Sequence, residues 1–488
     1  MRKKESKRMS RRGFLRISAV STAGMLAAAC AQPVPVAQEV EEEAPAMPEA
    51  MEFTLLSLDG VGWNEANTEL IAAFEGKTGH KGNLWGAGWP MNDTLLPAIA
   101  AGSPPDVYHD MPLKQPELYA NGTAMTLNDL VEASPWSPED LSPVDMQACT
   151  WFGEIKQMPL WHDLTGHSFY VYRTDFLDEA GIPHPARHGG LESYDQLYDV
   201  AQKLTQRDAS GNVSRWGWYR ALSFSILSRV LDEGEHWWDE ENQEFTLTND
   251  AVIKWINKLY FEPLELGISP NEEQTPDMSN VEMMTEGVVA MTDRFFTLHI
   301  AEDAGRSEAE VMNHMQSPPA FEGQPDADRH FSGWGGWSCG IPSSIAGDRL
   351  QGAFDLATAQ YNSDVARAFH RFVGPPGALK SYANDPYLDE LYEETVYGGV
   401  TVDMYRWQVT HTGVFFGWEW GNLNMPNWPG SRCGGGAYVG DSEEAAAARC
   451  ERGSWVSGKY SAEELAEEWQ EWATRVRKEW YESIGIQV

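Results

Sequence analysis

No apolar stretch in the 488-residue sequence is long enough to span a membrane. The apolar run 17–29 covers thirteen residues, short of the roughly 18 that a spanning helix needs. Positive charge is scarce as well: 36 Lys and Arg, of which 13 are lysine, stand against 73 Asp and Glu, a formal net charge of −37. A surface of that sign repels nucleic acid and anionic lipid, so no nucleic-acid partner is expected. Five cysteines without a CxxC spacing argue against a structural zinc site. No HExxH motif and no serine-nucleophile elbow is read. The string EGKTG holds the Gly-Lys-Thr of a phosphate loop, yet Ile71 stands where that loop needs glycine. No GxGxxG follows a strand, and no basic segment is interleaved with aromatics, which removes dinucleotide and nucleic-acid readings. The densest histidines, His162, His167, His184 and His188, read as surface or loop residues rather than a metal cluster. Neither a metal nor a cofactor is expected.

What is present begins at the N-terminus. Eight basic residues and one acid precede or flank the start of the apolar run, the n-region and h-region of an export signal. SRRGFLR (10–16) resembles a twin-arginine signal. LAAAC (26–30) resembles a lipoprotein cleavage site, with the leucine four residues before Cys30 where three is commoner. Residues 1–29 are therefore expected to be removed and Cys30 lipidated, holding the protein at the outer face of the cytoplasmic membrane. Removal would carry the formal charge from −37 to −44, which reads as solubility or salt adaptation in preference to a cationic ligand. Residues 30–52, rich in Pro, Ala and Glu, read as a solvated linker. Four cysteines then remain, with three possible pairings. Cys433 and Cys450 flank a Gly-rich loop and are expected to form a disulfide staple in an oxidising compartment.

From residue 53 the pattern alternates. FTLLSLDG (53–60) reads as a buried strand. NEANTELIAAFEGKTG sets Leu70, Ile71 and Phe74 on one helical face and stops at Gly79. TLLPAIAAG (94–102) reads as a helix and DVYHD as a short strand. Further helices are expected in ESYDQLYDVAQKLT, NDAVIKWINKLYFEPLELG and, as a pair, GDRLQGAFDLATAQYNSDVARAFHRFV, with GVVAMTDRF (287–295) a strand. In the closing helix Leu465, Trp469, Trp472, Val476 and Trp480 share a face, and Ser461 with Glu464 has the spacing of a capping box. The class is α/β with mainly buried strands.

In order, ELIAAFEGKTG, IAAGSPPDVY, ELYANGTAMTLNDLVE, GEIKQMPLWHDLTGHSFYVYRTDFLDEAGIPHP, ESYDQLYDVAQKLT, MMTEGVVAMTDRFF, GGWSCGIPSSI and SAEELAEEWQEW cover nearly the whole chain after the signal. Taken together they resemble the family 1 extracellular solute-binding proteins of ABC importers, the sugar-type group that includes maltose-binding protein. The resemblance implies a two-lobed periplasmic-binding-protein type II fold with the ligand cleft between lobes, closing like a hinge. It implies crossings near 165–171, 336–340 and 395–400, an N-terminal lobe of 53–165 with 340–395, and a C-terminal lobe of 166–337 with 400–488. It also implies a membrane permease and its ATPase as partners, with the receptor itself a monomer and not an enzyme.

Tryptophan is abundant, 21 residues or about 4% of the chain. Sugar rings present C–H faces that stack on aromatics, while their hydroxyls need carboxylate, amide or arginine partners. Trp255, Trp469, Trp472 and Trp480 sit on helical faces and read as core. The ligand candidates lie at strand ends, where open α/β sheets bind ligands. They are Trp63 with Asp59 and Asn64, in the turn the family uses to reach its cleft; His109 and Asp110; Trp161 and Asp163; Arg294 and Phe295; Trp334 and Trp337; and Trp418, Glu419 and Trp420 in FFGWEWGNLN. Trp63, Trp337 and Trp418 are expected to converge. Asp106, in the PPDV turn, reads as structural. Two rival readings stay open: a secreted glycoside hydrolase using paired carboxylates, and a receptor whose aromatic walls hold a cationic amine or polyamine.

Overall fold

The computed structural model describes residues 50–483 apart from 61, 89–90, 113–114, 163–168, 186–189, 220–222, 240, 243, 272–273, 275–277, 279, 293–310, 334, 395–397, 412 and 416–460. In chain order, strand β1 (Glu52–Leu58) leads into helix α1 (Trp63–Thr78), then β2 (Lys81–Ala87), α2 (Asn92–Ala100) and β3 (Val107–Asp110). After β4 (Gln157–Pro159) come β5 (Phe169–Arg173), α3 (Tyr194–Leu204), α4 (Asp250–Ile256), β6 (Met291–Thr292) and β7 (Met312–Gln316). Strand β8 (Ser338–Gly340), helices α5 (Asp348–Ala357) and α6 (Ser363–Phe372), and the closing helix α7 (Ala462–Ser483) follow.

The first sheet has the order β2-β1-β3-β8-β4. Strand β1 runs parallel to β2 and β3, whereas β8 runs antiparallel to both β3 and β4. The carboxyl ends of β1, β3 and β4 therefore share one edge with the amino end of β8. Alternation along the strands splits the side chains between two faces. Phe53, Leu55 and Val107 join Ala66, Leu70 and Phe74 of α1, Ala353 of α5 and Phe369 of α6 in one core. On the other face Leu56 and Tyr108 meet Leu95 of α2 and Trp151. Helix α1 ends where expected, at Gly79 with φ of 73°, a conformation that glycine adopts without a Cβ penalty. Asp106 is structural, as its turn suggested: it accepts from Thr54 N at 2.8 Å and from both Arg349 Nε and Nη2, at 2.5 and 2.7 Å.

The second sheet, β6-β5-β7, is antiparallel. Its core holds Tyr170, Tyr172, Trp218, Trp237 and Trp255, covered by α3, α4 and α7. Helix α7 docks through buried Leu465 and Trp469, with the Gln470 amide bonded to Leu247 N and Phe245 O. Its capping box is formed: Ser461 N donates to Glu464 and Glu464 N donates to Ser461 Oγ. A third apolar cluster joins Val144, Ala366 and Tyr382 to Phe169, Val171, Met404 and Tyr405, linking the two sheets' surroundings.

Two expectations need correction. The segment 287–295 forms a strand only at Met291–Thr292 among its described residues, with Val289 making a single bridge to Trp216. Strand β2 was not expected at all; KGNLWGA is polar and glycine-containing, and its exposed alternation belongs to an edge strand.

Candidate ligand-binding site

Trp63, Trp161 and Trp337 come from three separate segments and meet at the edge of the first sheet where the carboxyl ends of β1 and β4 lie beside the amino end of β8. Trp63 is the first residue of α1, directly after the turn that follows β1. That turn holds Gly62 at φ 82° so close to α6 that a Cβ would lie 2.3 Å from the Phe372 carbonyl oxygen. The start of α1 is thus fixed against the end of α6. Trp161 follows β4 and is tied down by a bridge to Gly377 and by His162 N donating to Pro376 O at 3.0 Å. Trp337 precedes β8, and its carbonyl accepts from Leu160 N at 2.8 Å.

Their rings touch. Trp63 lies 4.8 Å from Trp337 and 5.1 Å from Trp161, centroid to centroid, and Trp161 lies 6.0 Å from Trp337. Phe369 backs the group, 5.9 Å from Trp161 and 6.3 Å from Trp63, and His109 lies 6.4 Å from Trp63. Trp63 and Trp337 are partly exposed, whereas Trp161 is buried. The result is a wall of indoles at the edge where strand ends open, with two members partly accessible to a ring-shaped ligand. Of the three tryptophans expected to converge, Trp63 and Trp337 do so; Trp418 lies outside the described residues. So do Asp163, Arg294, Phe295, Trp334, Glu419 and Trp420, as well as Cys30, Cys433 and Cys450.

The polar candidates divide. Asp59 is exposed and accepts from Asn64 Nδ2 at 2.8 Å. Asp110 is buried, and its carboxylate accepts from its neighbour Met111 N and from Gln115 Nε2. It points to the opposite sheet face from His109, because adjacent strand residues alternate. His109 is fully buried, 2.9 Å from Ser57 Oγ, and burial lowers its pKa to about 3. Sequence reasoning missed Phe369, Ser57 and Asn67; Phe369 carried no signal beyond its helical periodicity.

Several alternative chemistries can be judged from geometry. GWSCG (336–340) does carry the GxSxG spacing, a correction to the motif reading. Ser338 nevertheless lies inside β8, fully buried, with its hydroxyl against Gln157 Oε1 and 3.1 Å from the Asp110 carbonyl. A nucleophile elbow instead exposes its serine on a strand-to-helix turn. Cys149 and Cys339 are buried free thiols whose pKa values burial raises. Of the histidines expected at the surface or in loops, His162 lies in a loop but is buried, 2.9 Å from Asp145 Oδ2. Among the described residues no group of three or more His, Cys, Asp or Glu could hold a metal ion, and no helix is long and apolar enough to cross a membrane.

Residues 62–293 match the family model of bacterial extracellular solute-binding proteins. Over those residues the sequence is similar to the family 1 extracellular solute-binding proteins. The matched span begins within the turn that presents Trp63. No curated protein matches the sequence. Solved structures do match in fold. The sugar-binding protein MalE from Xanthomonas citri is 16% identical with a TM-score of 0.62, over 88% of this chain and 98% of that one. The GacH receptor of Streptomyces glaucescens, solved unliganded and with acarbose, is 15% identical with a TM-score of 0.60, over 88% and 99%. A Listeria monocytogenes ABC substrate-binding protein in complex with cycloalternan is 16% identical with a TM-score of 0.59, over 90% and 100%. The fold is the two-lobed, periplasmic-binding-protein type, as the sequence implied.

Proposed function

We propose that the protein is the substrate-binding component of an ABC importer, capturing a sugar or oligosaccharide between two lobes and delivering it to a membrane permease driven by an ATPase. The observation that carries the reading is the wall formed by Trp63, Trp161 and Trp337. Partly exposed indoles in contact offer flat apolar area without side-chain freedom to lose, the surface that the C–H face of a sugar ring needs. The sugars in the structures of similar fold support the same class. In this reading the lobes are 53–165 with 340–395 and 166–337 with 400–488. Asp59, Asn64, Asp110, Asp163, Arg294, Phe295, Trp334, Trp418, Glu419 and Trp420 are further contact candidates. Residues 1–29 export the protein, Cys30 carries the lipid that anchors it, and Cys433 bonds to Cys450.

Thermal-shift measurements with maltotriose, acarbose, tagatose, β-1,6-galactobiose and spermidine test this. A ligand that binds only the folded state adds RT ln(1 + [L]/Kd) to stability. At least one carbohydrate should raise the melting temperature by several degrees, and Trp63→Ala should abolish the shift. Stabilisation by spermidine alone would favour the cationic-ligand reading, and cleavage of a stabilising sugar would make the protein a hydrolase.

A further inference from the structure

Beneath the aromatic wall, three fully buried polar residues sit among apolar neighbours between the first sheet and α1: Ser57 on β1, Asn67 on α1 and His109 on β3. Asn67 Nδ2 donates to Ser57 Oγ at 2.9 Å, and Ser57 Oγ lies 2.9 Å from His109 Nδ1. The Ser57 hydroxyl and His109 Nδ1 share one hydrogen bond, whose donor is set by the His109 tautomer. Asn67 Oδ1 and His109 Nε2 have no hydrogen-bond partner among the described residues. Burying such groups in an apolar layer is unfavourable, and a hydrophobic trio of similar volume would pack there at least as well.

Position suggests what the trio does. Asn67 lies four residues after Trp63, on the same face of α1. Holding Asn67 to β1 therefore fixes the rotation of α1 about its axis, and with it the direction in which Trp63 leaves the helix. His109 closes the arrangement from β3, with its ring 6.4 Å from both Trp63 and Phe369. Apolar side chains alone would hold α1 on the sheet without selecting one rotation, because hydrophobic contact is not directional. We propose that Asn67, Ser57 and His109 form a buried polar clip that sets the rotation of α1 and so positions Trp63 in the wall. The proposal rests on the reading of that wall as ligand-binding, but its first test does not need a ligand.

Protein labelled with 5-fluorotryptophan gives a fluorine NMR line for Trp63, assigned by its loss in Trp63→Phe. The triple variant Ser57→Ala/Asn67→Leu/His109→Phe makes all three positions apolar. Its melting temperature should equal or exceed that of the parent, while the Trp63 line shifts or broadens into several. The single variant Asn67→Leu should do the same to the line. For maltotriose, measured by calorimetry, the triple variant should bind about tenfold more weakly. An unchanged Trp63 line in both variants overturns the proposal, as does a line that changes only together with a large fall in melting temperature. If the parent does not bind maltotriose, that choice of sugar fails, and the Trp63 line still decides the clip.

Discussion

Single side chains already separate the roles of the aromatic residues. Trp63 and Trp337 are partly exposed while Trp161 is buried, so the first two should contribute most to ligand contact. Trp63→Ala and Trp337→Ala are each expected to weaken sugar binding at least tenfold by calorimetry. Trp161→Ala should also lower the melting temperature, because it leaves a cavity beside Phe369. A second residue-level consequence concerns acid. Desolvation lowers both His109 and His370 to a pKa of about 3, against roughly 6.5 in an unfolded chain. The unfolded state therefore binds protons as pH falls through 6.5 while the folded state does not. The stability these two confer is complete above that value and is lost towards pH 3, by about 1.4 kcal/mol per pH unit for each group. Urea midpoints at pH 7.5 and 5 should fall accordingly, and the double variant His109→Phe/His370→Phe should show a shallower slope. The sequence pointed to His109 as a ligand residue; it is fully buried beside Trp63, and the proposed clip gives it a supporting role there.

At the scale of elements, the Asp106–Arg349 pair shows how a turn is secured. Asp106 binds the β1 backbone and the guanidinium of α5 together. Asp106→Ala should cost about 2 kcal/mol in thermal or urea unfolding, since it leaves the Thr54 N–H without its acceptor. Arg349→Ala should cost less, because that side chain is 43% exposed and exposed pairs contribute little. Gly62→Ala should be strongly destabilising, as the new Cβ would strike the Phe372 carbonyl at 2.3 Å. Helices α1, α3, α6 and α7 were legible because their apolar residues repeat at helical spacing, with Gly79 closing α1 and Ser461 opening α7. Strand β2 was not, because an edge strand needs no buried face and leaves no apolar period. The strand expected over 287–295 was read too long for another reason: five apolar or small residues in a row suit a strand and a loop docked on a core equally well.

For the molecule as a whole, charge and address dominate. A formal charge of −37 implies self-repulsion that salt screens, so the melting temperature should rise between 50 and about 500 mM salt. If Cys30 carries the anchor, Cys30→Ala should release the protein from the membrane fraction. If the twin arginines direct export, replacing Arg11 and Arg12 by lysine should retain it in the cytoplasm. The sequence by itself determined the α/β class, the order of the family's segments and the resemblance that the family match upholds, since these depend on local periodicity and composition. Tertiary structure alone decided which aromatics meet. Trp63, Trp161 and Trp337 are far apart along the chain and become neighbours only because β1, β4 and β8 are ordered so that their ends share one edge. Strand order is a long-range choice, made by pairing and burial across the whole sheet, and no window of sequence contains it.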